Sequence, residues 1–277
     1  MLFRSVPFLI FAGAFFPVYF LLRGRGRLLF TLAASYFFYA WWDWRFVGLL
    51  LFSTELDYTI GLAIDGALEL RRRRALLTLS IVANLTFLGA FKYFNFFADS
   101  LAAAAATFGI SLSWPVLHII LPIGISFYTF QSLSYTIDVY RRVLPAERSL
   151  LHYATFVALF PQLIAGPIVR AERLLPQLRV DAPFDWDRVR SGVELIAWGY
   201  FLKLVLADTI AQQIDSNTWF ALPGPRGGLS AAVGAVFFAF QIDGNFAGYS
   251  LIAIGLARIM RSEEHTSELQ SRLHLVC

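Results

Sequence analysis

The sequence predicts an all-α protein: a polytopic bundle of transmembrane helices with about seven spans and one re-entrant segment. Three observations predict it. Hydrophobic residues make up 58% of the 277 and charged residues only 15%, where a soluble domain carries about 25% charged. Too few charges remain to cover a water-facing surface. The apolar residues fall in stretches that suit a bilayer, which needs about 20 mostly apolar residues per helix. The basic residues gather between those stretches, as Arg23 to Arg27, Arg71 to Arg74 and Arg141/Arg142. Nucleic-acid binders also carry such runs. Set between spans, however, they read as loop charge that fixes topology, and no nucleic-acid partner is expected.

The elements follow in chain order. Val6 to Leu22 is the first candidate span. A cleaved signal peptide places its positive charge ahead of the apolar run and a small-residue site behind it. Here the arginines follow the run and no A-x-A site is present, so an uncleaved span with its N-terminus outside is expected. Leu28 to Trp42 and Phe46 to Ile64 come next, joined by "WWDWR", which has the character of an interfacial aromatic belt. Ala75 to Phe97 is followed by an Ala-rich loop, then by Val116 to Val139. The remaining apolar segments are 150–169, Val193 to Ile214 and Leu229 to Ile259.

Charge tests this series. With the N-terminus outside, Arg23 to Arg27, Arg71 to Arg74 and Arg141/Arg142 all fall inside, as the positive-inside rule requires. A crossing at 150–169 would put Arg170, Arg173, Arg179, Arg188 and Arg190 outside. That segment is also interrupted by Pro161, Gly166 and Pro167, and broken backbone at membrane depth needs protein or a cavity around it. It is therefore expected to dip in and return on the same side. Residues 170–190 mix those arginines with Glu172, Asp181, Asp185, Asp187 and Trp186, and are expected to lie along the cytoplasmic interface, partly as a short amphipathic helix.

Polar groups inside spans are costly and tend to face a bundle interior or a cavity. The ionisable ones are Glu55, Asp57, Lys92, Asp138, Lys203, Asp208 and Asp243. Lys92, Asp138 and Asp208 lie near span ends, where snorkelling to the interface suffices. Glu55 and Asp57 lie deeper, and at least one should need a partner such as Lys92 or a tyrosine hydroxyl. The stretch "FQIDGNFAGYS" (Phe240 to Ser250) is the densest polar insertion. It fits either a polar cavity or close helix packing through Gly244 and Gly248. The candidate cavity-lining residues are Gln131, Gln162, Gln241, Asn245, Tyr249 and Ser250. No Walker A, G-x-S-x-G, H-E-x-x-H or CxxC motif occurs. His118 and His152 read as structural or interfacial histidines. Residues 1–260 hold no cysteine, so neither a disulfide framework nor a cysteine metal site is available there, and no metal ligand is assigned.

Several blocks carry a resemblance. "LPIGISFYTFQSLSYTIDVYRR" (Leu121 to Arg142), "FPQLIAGPIVRAERLLPQL" (Phe160 to Leu178), "GYFLKLVLADTIA" (Gly199 to Ala211) and "GYSLIAIGLARIM" (Gly248 to Met260) stand in order, with "STELDY" (Ser53 to Tyr58) fitting more loosely. Together they resemble the membrane-bound O-acyltransferase family, in its bacterial alginate O-acetyltransferase-like branch. They place residues 1–260 as a truncated membrane domain covering its N-terminal part. One departure stands out: Asp243 and Asn245 occupy positions where the family usually has Tyr and Asp.

The resemblance implies acyl transfer to a hydroxyl, with a histidine as general base, a role suited to an imidazole titrating near neutral pH. It implies no bound cofactor. Acetyl-CoA or another acyl thioester is the donor substrate, a polysaccharide the acceptor, and periplasmic or extracellular acyltransferases are partner proteins. It also implies residence in a bacterial cytoplasmic membrane. The family's catalytic histidine is expected beyond Met260, so no catalytic residue is assigned. Two readings stand beside this one: a transporter-like subunit, or a non-catalytic scaffold of a polysaccharide export or modification complex. Within the family, D-alanyl transfer to teichoic acid is the neighbouring activity.

The last 17 residues, 261–277, differ in chemistry from the rest: they hold Cys277, His265, His274 and three glutamates. "RSEEHTSELQS" (Arg261 to Ser271) is what translation of a common sequencing adapter yields. Residues 261–277 are therefore expected to be a non-native tail.

Overall fold

The computed structural model describes residues 3, 5–108, 121–163, 166, 169–181, 183–214 and 228–260. Among these the chain is helical throughout, with no strand. Helix α1 (Val6–Leu21) starts at Ser5, whose hydroxyl accepts from the Phe8 N–H, with Pro7 in the first turn. It stops before Gly24, whose φ of 53° lies in the left-handed region that glycine adopts without strain. Then follow α2 (Gly24–Asp43), α3 (Arg45–Gly66) and α4 (Leu70–Thr107).

Helix α4 runs through the expected Ala-rich loop at 98–107. Alanine is the strongest helix former, and its run simply extends the preceding helix. At 38 residues the helix is about 57 Å long, longer than the roughly 30 Å hydrocarbon core of a bilayer. By length and composition two described helices, Arg45–Gly66 and Leu70–Thr107, could cross a membrane, and Val6–Leu21 is a shorter apolar helix.

Large apolar side chains are exposed on the outside, and a set of polar ones is fully buried beside an aromatic and aliphatic core. Val6, Ile10 and Leu21 are 67%, 68% and 81% exposed, while Ser35, Asp57, Ser80, Ser132, Thr136 and Thr155 are fully buried. Apolar side chains thus line both the outside and the core, and the buried polar ones bond between and within helices, an arrangement that suits a lipid solvent.

Helix α5 (Ile125–Tyr140) packs against α3 and α4. The next apolar segment is broken into α6 (Leu150–Ala158) and a single turn, α7 (Phe160–Leu163). Phe160 is held among the rings of α1 and α2, with ring centroids 4.9 Å from Phe15, 5.2 Å from Phe11 and 5.5 Å from Phe38. Then come α8 (Ala171–Leu178) and α9 (Trp186–Tyr200), the latter capped by Asp185. Helix α9 leads into a π-helix (Phe201–Ala207) and α10 (Asp208–Gln213). Helix α8 is amphipathic, burying Ala171, Leu174 and Leu175.

The last helix, α11 (Gly228–Ile259), is unbroken through Phe240–Ser250. It packs along α9 and the π-helix with glycines at the seam. A Cβ on Gly199 would stand 2.7 Å from the Gly248 carbonyl, and one on Gly248 would stand 2.9 Å from that of Gly199. The glycines of this stretch therefore take part in close helix packing.

Ion pairs fix which loops share an end of the bundle. Asp181 accepts from the Gly24 N–H at 2.8 Å and lies 3.6 Å from Arg27. Glu147 pairs with Arg179, and Asp65 pairs with Arg148 at 2.8 Å. Residues 24–27, 65, 147–148 and 179–181 therefore lie together. The chain on either side of 150–169 meets at that one end.

Candidate functional site

The break between α6 and α7 is where the candidate site is built. In a continuous helix the Phe160 N–H would donate to the Phe156 carbonyl, four residues back. Leu159, with ψ of 113°, turns the backbone out of helix and separates the two groups. Each finds a side chain instead. The Phe160 N–H donates to Ser35 Oγ of α2 at 3.2 Å, and Gln131 Nε2 of α5 donates to the Phe156 carbonyl at 2.7 Å. Ser35 in turn donates to the Thr31 carbonyl at 2.8 Å. Gly166 closes the turn with an N–H bond to the Gln162 carbonyl, and a Cβ there would fall 2.5 Å from Gln162 Cα. Broken backbone is thus satisfied inside the protein, as a low-dielectric surrounding demands.

Helix α7 packs against α11, the helix that also contributes to a second polar group. That group centres on Lys203, whose side chain is 8% exposed. Its ammonium donates to Asp208 and to Asn245 Oδ1, and lies 5.4 Å from the Tyr249 ring. The π-helix makes this possible. Its wider turn, marked by the Asp208 N–H bond to the Lys203 carbonyl, brings residues five apart onto one side. Asp208 therefore does not snorkel as a lone span-end group; it is the counter-ion of a buried lysine.

A third group surrounds Asp57. Ser80 Oγ donates to it at 2.6 Å and Asn84 Nδ2 at 2.9 Å, joining α3 to α4. Among the described residues no basic side chain pairs with it. The expected partners, Lys92 or a tyrosine, are not the ones found: Lys92 is exposed, its ammonium 5.4 Å from its neighbour Tyr93. Glu55 is exposed on the outer side of α3.

The six expected cavity-lining residues therefore separate. Asn245 and Tyr249 meet at Lys203. Gln131 is the polar clamp of the helix break, and Gln162 sits on α7 at 2% exposure. Gln241 is half-buried and Ser250 is 3% exposed, each with a shielded side-chain oxygen that has no hydrogen-bond partner. At the arginine end of the bundle a small cavity of about 40 Å³ is lined by Tyr19, Arg27, Thr31, Gln177, Asp181 and Met260. Tyr19 closes it by donating to the Met260 carbonyl at 2.9 Å. Sequence reasoning missed Ser35, Ser80 and Asn84, whose roles depend on which helices adjoin.

His152 lies in the first turn of α6, half-buried, with Nδ1 shielded and unpaired. His118 lies outside the described residues, as do His265, His274, Cys277 and the whole of 261–277. Among the described residues no group of three or more His, Cys, Asp or Glu could hold a metal ion.

No family model matches the chain. Curated relatives do. A probable alginate O-acetylase of Azotobacter vinelandii is 44% identical over 259 residues, 92% of this chain and 51% of the relative. The peptidoglycan O-acetyltransferase of Helicobacter pylori is 31% identical over 291 residues, 91% of this chain and 53% of the relative. A teichoic acid D-alanyltransferase of Bacillus subtilis is 23% identical over 184 residues, 59% of this chain and 44% of the relative. The chain spans about half the length of the first two.

Proposed function

Because the chain belongs to the membrane-bound O-acyltransferase family, beside the alginate O-acetylases, we propose that its protein transfers acetyl groups from a cytoplasmic thioester toward hydroxyls of an extracytoplasmic polysaccharide. The observation that carries this is the extended identity to probable alginate O-acetylases, which runs through both the broken segment and the Lys203 region. The D-alanyltransferase match is weaker and shorter, which favours acetyl over D-alanyl transfer. Acetyl-CoA is the proposed donor, an alginate-like polymer the acceptor, and extracytoplasmic acyltransferases the partners.

The proposed membrane arrangement has seven spans, with the N-terminus outside, in a bacterial cytoplasmic membrane. Residues 150–169 re-enter from the inside, and 170–190 lie along the cytoplasmic interface. The ion pairs that join Arg27 to Asp181 and Glu147 to Arg179 support this, since they gather the arginine-rich loops at one end. So does the polar clamp of the broken helix by Ser35 and Gln131. In this reading the chain supplies the donor-side half of the machinery: a rigid break held at membrane depth and a positively charged mouth for a phosphate-bearing thioester. The general base stays unassigned.

A chimera tests the proposal. Residues 1–260 replace the matching segment of the Azotobacter vinelandii relative, in a strain lacking its own copy, and acetyl ester on the secreted alginate is measured. Restored acetylation is expected. A chimera that reaches the membrane intact yet leaves the polymer unacetylated contradicts the reading.

A further inference from the structure

We propose that the notch between the first turns of α4 and the end of α5 binds the phosphate groups of an acidic phospholipid. Arg71, Arg72 and Arg74 are exposed at the start of α4, and Arg141 and Arg142 are exposed at the end of α5. Arg73 turns the other way. Its guanidinium donates to the Tyr140 carbonyl and lies 5.2 Å over the Tyr140 ring, tying the two helix ends together. That one inward arginine sets the start of α4 beside the end of α5, so the five exposed ones stand on adjoining helix ends. Arg73 Nε is shielded there without a hydrogen-bond partner, a donor left over at the same place.

The acidic residues nearby do not neutralise the group. Asp65 is already held by Arg148 at 2.8 Å and lies 3.9 Å from Arg142; Glu69 and Asp138, the latter shared between Arg170 and Arg141, are the others, three carboxylates against five exposed arginines. Only two of the 23 basic residues in the chain are lysine, and the planar guanidinium is the side chain suited to bidentate phosphate contact. The apolar surroundings point to a lipid as the source of the phosphate. Leu68, between α3 and α4, is 97% exposed, and Leu79 and Val143 are 54% and 50% exposed. Free phosphate has no use for such a rim, whereas acyl chains do. Basic pockets between helices at a membrane surface are recognised sites for doubly charged lipid headgroups. The inference rests on the membrane reading and is independent of acyl transfer.

The test uses the full chain purified in detergent, with thermal unfolding read as cardiolipin, phosphatidylcholine or inorganic phosphate is added. Cardiolipin is expected to raise the melting temperature, and the other two are expected to leave it unchanged. In the variant R71Q/R72Q/R74Q the same rise should need roughly 100-fold more cardiolipin, at about 1 kcal/mol per basic residue. R23Q/R25Q/R190Q, which removes equal charge elsewhere, should behave as the parent. R141Q/R142Q, on the other wall, must weaken binding in the same direction. Equal loss in the notch and control variants, an equal shift with phosphate, no shift with cardiolipin, or an unaltered R141Q/R142Q would each overturn the proposal.

Discussion

Ser35 and Gln131 stand on different helices, yet each closes one half of the same interrupted hydrogen bond. Neither has an apolar substitute. Ser35→Ala leaves the Phe160 N–H unpaired, and Gln131→Leu leaves the Phe156 carbonyl unpaired. A buried polar group left without its partner costs about 1–3 kcal/mol. Each variant should therefore melt several degrees lower in detergent, at about 2–4 °C per kcal/mol for a chain of this size. An unchanged melting temperature in both would show that the break is held by packing alone. Glutamine in an apolar run is visible as a costly residue, so Gln131 could be singled out from sequence. Its acceptor could not, because Phe156 becomes an open carbonyl only once Leu159 breaks the helix. Asn245 and Tyr249 were visible as polar residues four apart in an apolar run, but their meeting at Lys203 was not legible, because it depends on which helix lies alongside. Asp208 was harder to place, since only a π-turn brings a residue five positions away onto that face.

Helix α11 meets α9 and the π-helix along a seam of small residues, with Gly192 set against Gly255 and Gly199 against Gly248. Such contacts let backbones approach in a solvent where apolar burial between helices contributes little. Gly199→Val would place carbon inside the Gly248 carbonyl's contact distance and should destabilise the chain by about 1–3 kcal/mol, the range for overpacking. Gly13→Ala makes the useful contrast. A Cβ there meets nothing within 4 Å, and replacing a mid-helix glycine by alanine favours the helix by up to about 1 kcal/mol. Thermal melts of the two variants check this, and equal destabilisation would remove the seam as the explanation. Hydropathy was enough to locate α1, α2 and α3 to within a few residues. It misplaced the end of α4, because alanine reads equally as a small-residue loop and as the best helix former. It also left the choice at Phe240–Ser250 open, since glycine spacing becomes a packing seam only when a partner helix carries the matching glycines.

Across the whole molecule, charge carries the proposed orientation. The arginine clusters, spread from Arg23 to Arg179 in sequence, converge because Asp181, Glu147 and Asp65 hold them at one end. That convergence was legible in outline, since positive loops sort to one face of a membrane. The individual pairs were not, because they join residues more than 30 positions apart. The proposed arrival of a donor from the cytoplasm depends on one geometric claim: the chain enters the bundle at 150 and leaves it by 169 on the same side. Impermeant maleimide labelling of single cysteines tests it most directly, in a background where Cys277, the sole cysteine, is replaced by serine. Val143→Cys and Arg190→Cys flank the segment, and Trp44→Cys serves as the outer reference. The account predicts that positions 143 and 190 both react only after the membrane is opened, while position 44 reacts in intact cells. Labelling of 143 and 190 from opposite sides would contradict it.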